Sequence, residues 1–382
     1  ALTVPVSAAA EDPVLQFDEN GEFRILIVAD TQDTANPHEA TLRLLNAELD
    51  VADADLVVFT GDQVHGPSVR TTEAMGKALD AILAPVVERG IPFAAVFGNH
   101  DDEGGVSKET QLAIYKSCLM SAGPDDITGC GNYNLLVWSS DGSRPVCNLW
   151  FLDSGTYGEK GVSKYARVEQ DQIDWYTSTA AALEEQYGEK LPAYLFQHII
   201  VPEIYDLLTE VPASEKKAEG VVEGYSSHSG HYYKMGDGFT AGHLGEPPCP
   251  PDIPSGEFAA MRDTGDVVAA FFGHDHKNDF AGTYEGVDLV NTTSTGFYIY
   301  GEREYHGARL VILHEDAPAE YDTEMLYYKD LVSEPLPGGL ASIHGKYVEN
   351  IVIAAVAGLL ILVGAGVLVG VRIAKRKKRS RK

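Results

Sequence analysis

Residues 93–101 read FAAVFGNHD, an unbroken apolar run followed by glycine, amide, imidazole and carboxylate. A run apolar at every position is a strand covered on both faces, and the polar cluster marks where that strand ends at a rim. The arrangement recurs along the chain. FRILIVA (23–29) leads into Asp30-Thr31-Gln32, and LVVFT (56–60) into Gly61-Asp62. AYLF (193–196) leads into Gln197-His198, and VVAAFF (267–272) into Gly273-His274-Asp275-His276. Buried strands that each end in an oxygen or nitrogen donor aim those donors at one edge of a sheet. A metal site is assembled in this way from residues far apart in sequence. The donors include no thiolate, which points to a hydrolytic centre.

Working outward, helical spacing is expected over 38–49, 72–88, 108–120 and 170–187. Asp141-Gly142, between apolar runs at 133–138 and 146–152, is a hairpin signal. Further strands are expected near 283–290 and at 309–314. The early strands are continuous apolar runs and the later ones pair as hairpins. The fold class is therefore mixed α/β (α+β), a β-sandwich flanked by helices. Residues 209–255, rich in Gly, Pro, Ser and Tyr, read as a long functional loop.

The chain has 382 residues, 44% of them hydrophobic and 23% charged, ordinary values for a globular protein. Its net charge of −28 includes eight bases and no acid after Asn350, so the first 350 residues carry −36. That surface repels phosphate backbones, so nucleic acid is not an expected partner. Anionic substrates are repelled too, unless bound cations reverse the field locally.

Residues 351–371, IVIAAVAGLLILVGAGVLVGV, carry no charge and are long enough to cross a bilayer core of about 30 Å at ~1.5 Å per residue. The basic segment 372–382 behind them reads as a cytoplasmic stop-transfer tail. A single-pass plasma-membrane protein with an extracellular N-terminal domain is expected. Ala8-Ala9-Ala10 resembles the end of a secretory signal. The expected division is leader 1–22, catalytic domain 23–330, linker 331–350, membrane helix 351–371 and tail 372–382. Of the four cysteines, Cys118 and Cys130 flank a short polar loop and are the preferred disulfide pair.

The motif order Asp30-x-Gln32, Gly61-Asp62, Gly98-Asn99-His100-Asp101, a lone His198 and Gly273-His274-x-His276 resembles the calcineurin-like metallophosphoesterase superfamily. The Dcr2-type members are the nearest in pattern, with purple-acid-phosphatase-like relatives beside them. The resemblance spans roughly residues 23–315 and implies a four-layer sandwich with helices outside two sheets. It also implies two divalent ions (Mn, Fe, Zn or Mg) that share Asp62. Asp30, Gln32, Asp62 and His276 would surround one ion, and Asp62, Asn99, His198 and His274 the other. His100 falls where the family keeps its catalytic histidine, the general acid for the leaving oxygen. Hydroxide held on the ions would attack phosphorus in a phosphate-ester small molecule or phosphorylated substrate.

The sequence also departs from the family. Position 32 is Gln rather than His. Where the protein phosphatases carry an Asp that orients the histidine and then an Arg, this chain has His65 and Gly66. The iron-binding Tyr of the purple acid phosphatases is His65 here, so a ferric charge-transfer site is not expected. Asp101, Asp102 and Glu103 read as turn and capping residues. His228, His231, His243 and His306 read as loop or structural histidines. The alternatives are a phosphodiesterase or nucleotidase on the same scaffold, and a surface binding module without turnover.

Overall fold

The computed structural model describes residues 14–115 and 118–336. Most of the expected leader and linker, and all of 351–371 and 372–382, lie outside the described residues. Among the described residues no helix is long and apolar enough to cross a membrane.

In chain order the first strands are β1 (Glu22–Val28), β2 (Leu56–Thr60) and β3 (Phe93–Val96). Helices α1 (Glu39–Ala52) and α2 (Thr72–Arg89) connect them, and α3 (Lys108–Leu112) follows. Next come β4 (Tyr133–Trp138), β5 (Pro145–Phe151), α4 (Gln170–Tyr187), β6 (Ala193–Phe196) and α5 (Ile204–Leu207). Three short strands, β7 (Leu208–Val211), β8 (Val222–Glu223) and β9 (Tyr232–Met235), precede β10 (Phe239–Ala241) and α6 (Glu257–Thr264). The chain continues through β11 (Val267–Phe272), β12 (Ala281–Tyr284), β13 (Val287–Asn291), β14 (Gly307–His314), β15 (Tyr321–Tyr327) and α7 (Tyr328–Leu331).

These strands make a five-stranded sheet of order β15-β14-β1-β2-β3 and a seven-stranded sheet of order β10-β12-β13-β11-β6-β5-β4. Alternation along the second sheet shows how they stack. Leu149, Phe151, Tyr194, Phe196, Ala269 and Phe271 join one core with the first sheet. Their neighbours Trp150, Leu195, Ala270 and Phe272 join a second core with Tyr176 of α4 and Phe258 of α6. A side-chain period of two thus splits each strand between two hydrophobic layers. Phe151, Phe196 and Phe271 stack across the inner face with centroids 5.2 and 5.3 Å apart. Burying each such ring contributes about 2–3 kcal/mol. On the far side of the first sheet, Leu45 and Leu49 of α1 and Met75, Leu79 and Ile82 of α2 are buried. The layers run helix, sheet, sheet, helix. Upstream of β1, Leu15 and Phe17 are buried in the same core, with Phe17 N donating to Trp138 O at 2.9 Å.

Four sequence readings need correcting. The helix expected over 108–120 stops at Leu112, because the chain turns back and Cys118 makes a parallel bridge to Phe93 at the sheet edge. The strand expected near 283–290 is a hairpin, with Glu285 (φ 44°) and Gly286 (φ 90°) making the two-residue turn. Residues 209–255 are not structureless: β9 pairs with β7 and β8 in a three-stranded sheet packed through Tyr233. Cys118 and Cys130 are not joined, since all four cysteines are free. Their backbones are pinned to different partners, Cys118 to Phe93 and Cys130 N to Asp153 Oδ2 at 2.9 Å.

One buried carboxyl makes stability depend on pH. Glu257 opens α6, and its Oε1 is buried without a hydrogen-bond partner. Burial, reinforced by Glu203, pushes its pKa up to about 8 against the opposing hydrogen bond from Gln197. The folded chain then keeps a proton that the unfolded chain releases near 4.5. Stability therefore falls as pH rises from that value to about 8. Glu257→Gln should flatten this dependence, so melting temperatures measured from pH 5 to 8.5 should converge at low pH and separate at high pH. Parallel curves would contradict it.

Candidate metal centre

Strands β1, β2 and β3 are parallel, as are β5, β6 and β11, so the ends of each set lie on one rim. Two bonds show that the rims of the two sheets meet. His198 Nδ1, after β6, donates to the Thr60 carbonyl at the end of β2 at 2.9 Å. His274 N, after β11, donates to Asp30 Oδ2, after β1, at 2.9 Å.

The loops reach this junction at conformational cost. Asp30 (φ 50°), Gln32 (φ 35°), Asp62 (φ 52°) and His274 (φ 70°) all lie in the left-handed region, unusual for residues with a Cβ. Such strain collects where a backbone must aim a functional group. The glycine before Asn99 is required by space, because a Cβ on Gly98 would lie 2.2 Å from Asp62 Oδ1.

Around Asp62 the donors converge. His198 Nε2 lies 3.2 Å from Asp62 Oδ2, from Asn99 Oδ1 and from His274 Nδ1. Because His198 Nδ1 spends its proton on Thr60, Nε2 is the nitrogen that faces two oxygens and a second imidazole. Ligand atoms of Asp62, His198 and His274 all fall within 4.8 Å of one another. The other side of Asp62 leads to a second group. Gln32 Nε2 donates to Asp62 Oδ2 at 2.7 Å and lies 3.5 Å from His276 Nε2. His276 Nδ1 donates to the Tyr300 carbonyl at 3.0 Å, which leaves Nε2 facing Asp30 Oδ1 at 3.4 Å. Asp30 Oδ1 and His274 Nε2 are buried with no hydrogen-bond partner.

This donor set fits divalent ions. Backbone carbonyls hold the outer nitrogens of His198 and His276, a common way of fixing metal-ligating imidazoles. These inner atoms repel unless a positive charge, a proton or a cation, lies among them. Burial opposes ionisation of Asp62, yet His198 and His100 outweigh it and hold the carboxyl far below the usual range. Burial likewise disfavours charge on His198, but Asp62 overcomes this and raises it to about 9. Burial and then His198 push His274 well below the ordinary imidazole value.

His100 stands beside this group, its N donating to Asp62 Oδ1 at 2.7 Å. Its Nδ1 meets Glu103 Oε2 at 2.6 Å, and the Tyr157 hydroxyl donates to Glu103 Oε1 at 2.6 Å. Asn99 Nδ2 donates to the same hydroxyl at 3.3 Å, which turns Oδ1 of that amide toward His198. Burial works against charge on His100, but Asp62 and Glu103 prevail and raise its pKa.

The eight residues expected at the site therefore lie at one junction. Sequence reasoning missed three others. Asp101 is no mere turn residue: it is buried, and its carboxylate accepts from the backbone N–H groups of Asp62 (2.9 Å), Gly98 (2.8 Å) and Val64 (3.3 Å). Glu103 had a weak signal in its position three residues after His100. Tyr157, 58 residues from Asn99, had none. Elsewhere, His228 stacks on Tyr205, His231 meets Glu210 and His243 meets Asp279. Asp275 turns away and accepts from Cys249 N at 3.1 Å, and His65 Nδ1 lies 2.8 Å from Ser68 Oγ.

The profile of the family described as calcineurin-like phosphoesterase matches residues 23–278, which contain every one of these donors. The chain belongs to that family. It is 30% identical over 327 residues to an Arabidopsis thaliana protein named "Probable inactive purple acid phosphatase 14", covering 75% of this chain and 74% of that one. Identity to the same plant's "Probable inactive purple acid phosphatase 29" is 29% over 346 residues, 81% of each chain. "Phosphatase DCR2" of Saccharomyces cerevisiae is 31% identical over 244 residues, 56% of this chain and 40% of that protein.

Proposed function

We propose that this chain hydrolyses phosphate esters at a centre of two divalent ions bridged by Asp62. The observation that carries the reading is the convergence of Asp62 Oδ2, Asn99 Oδ1 and His274 Nδ1 on Nε2 of His198. Asp62, Asn99, His198 and His274 would hold one ion, and Asp30, Asp62 and His276 the other, while Gln32, expected as a ligand, turns its NH₂ to Asp62 and supports that carboxylate instead. When bound, such ions lower the pKa of an attacking water and neutralise charge on the phosphoryl oxygens.

The remaining work falls to side chains. Water adds to phosphorus and gives up a proton to solvent, the ester P–O bond breaks, and the departing oxygen takes a proton from His100, which solvent then reprotonates. Glu103 accepts from Nδ1, so the imidazole is held in one orientation and Nε2 is left to serve as the acid. Tyr157 fixes Glu103 in turn. We place this domain outside the cell at the plasma membrane, on the strength of the apolar run 351–371 and the basic residues after it.

The names of the plant relatives favour a second reading, a folded domain without turnover. The complete donor set and the intact His100–Glu103 pair favour hydrolysis. One experiment tests both: the Mn²⁺-loaded protein is assayed on p-nitrophenyl and alkyl phosphates, with Glu103→Gln alongside. Wild type should turn over both substrates. The variant should keep its metal but lose about 10²-fold on alkyl phosphate and no more than about 10-fold on the p-nitrophenyl ester, whose leaving group needs little acid assistance. No turnover by the metal-loaded wild type would refute the function, and equal losses in the variant would refute the acid role.

A further inference from the structure

A groove of about 750 Å³ opens beside the centre, lined among others by Tyr157, Lys160, Ser163, Lys164, Ser226 and Asp252. It is continuous with the site, since Tyr157 is the residue bonded to Asn99 and Glu103. From there the aromatic rings form a wall. Tyr157 stacks on Tyr165 at 5.9 Å and Tyr165 on Tyr225 at 6.1 Å, while Tyr165 meets the His274 ring edge-on at 4.4 Å.

The charge in this groove runs against the rest of the molecule. The chain carries −28 overall, whereas the charged side chains lining the groove are two lysines and one aspartate. Among the described residues neither Lys160 nor Lys164 has an ion-pair partner. Lys164 Nζ lies over the faces of Tyr157 and Tyr165, 5.3 and 5.9 Å from their centroids. The carboxylate of Asp252 is engaged by Lys164 N (2.8 Å), Ser226 Oγ (3.0 Å) and Ser227 N (3.0 Å). Two lysines, one of them over tyrosine faces, in a field that elsewhere repels anions, suit an anionic group more than a neutral one. The reacting phosphate belongs at the buried donors, so these lysines face something else on the substrate.

We infer that the substrate is a phosphate ester whose alcohol half carries a second anionic group, held in this groove by Lys160 and Lys164. The inference rests on the phosphoesterase reading for its chemistry but not for its binding. Its test compares fructose 1,6-bisphosphate with fructose 6-phosphate, using the Mn²⁺-loaded wild type and the double variant Lys160→Gln/Lys164→Gln. Wild type should favour the bisphosphate in kcat/KM by roughly ten-fold, about 1.4 kcal/mol, and the variant should lose that preference through KM. A wild type without the preference, or a variant that keeps it, would overturn the inference. Should wild type hydrolyse neither sugar, calorimetric binding decides the groove, and the hydrolase reading stands or falls on the p-nitrophenyl and alkyl phosphates. Tighter binding of the bisphosphate to wild type than to the variant upholds it, and equal binding sinks it.

Discussion

Asp62→Asn is expected to strip the protein of bound metal and to lower turnover by at least about 10³-fold, ~4 kcal/mol in the barrier. No other side chain is shared by both donor groups. Its Oδ1 accepts from His100 N at 2.7 Å, and its Oδ2 accepts from Gln32 Nε2 at 2.7 Å while facing His198 at 3.2 Å. An amide of the same shape has one acceptor atom instead of two and carries no charge. Whichever way it turns, its NH₂ opposes either the His100 N–H or the Gln32 amide. The loss of charge would remove the carboxylate proposed to be shared by two cations in a buried place. Metal content per chain, measured by elemental analysis beside a circular dichroism spectrum, separates loss of ions from loss of fold. Two ions and near-normal turnover in the variant would end the bridging assignment.

The second large effect falls on stability. Asp101→Ala should destabilise the domain by roughly 3–5 kcal/mol, because three buried N–H groups lose their acceptor together. Those donors belong to Asp62, Val64 and Gly98, so one carboxylate ties the loop after β2 to the loop after β3. Burial and the nearby Asp62 carboxylate push Asp101 up to about 7, against the pull of its backbone donors. Asp101→Asn, which keeps one acceptor oxygen, should fall between wild type and alanine. Chemical denaturation of the three proteins checks the order, and metal titration should show weaker binding in step with it. A change below about 1 kcal/mol for alanine would mean that water or a rearranged loop replaces the carboxylate.

These two residues lie 39 positions apart in the chain and differ in how much of their role can be read from sequence. Asp62 follows a glycine at the end of the buried strand LVVFT, a pattern that presents a ligand at a sheet edge. Asp101 follows Asn99 and His100 in a motif, and its type is equally compatible with a turn, a cap or a ligand. Only the loop on the neighbouring strand gives it three donors. The same holds for Glu103, which looks like a turn residue until Tyr157 arrives from the far loop. Cys118 and Cys130 show the opposite failure. Their spacing suggested a bond, yet strand pairing at Phe93 and the Asp153 carboxylate hold their backbones to different partners.

By itself the sequence determined the inventory: strands apolar on both faces, each closing in a donor, and the alternation that builds two hydrophobic layers. These are local properties, set by side-chain period and by the few residue types able to end a buried strand. The tertiary structure alone decided which nitrogen of His198 faces the site, that Asp101 clamps two loops, that Glu103 and Tyr157 support His100, and that two lysines with no carboxylate partner among the described residues line the adjoining groove. Each depends on atoms brought within about 3 to 6 Å by chain segments tens of residues apart, a range over which hydrogen bonds and charge act but sequence spacing carries no information.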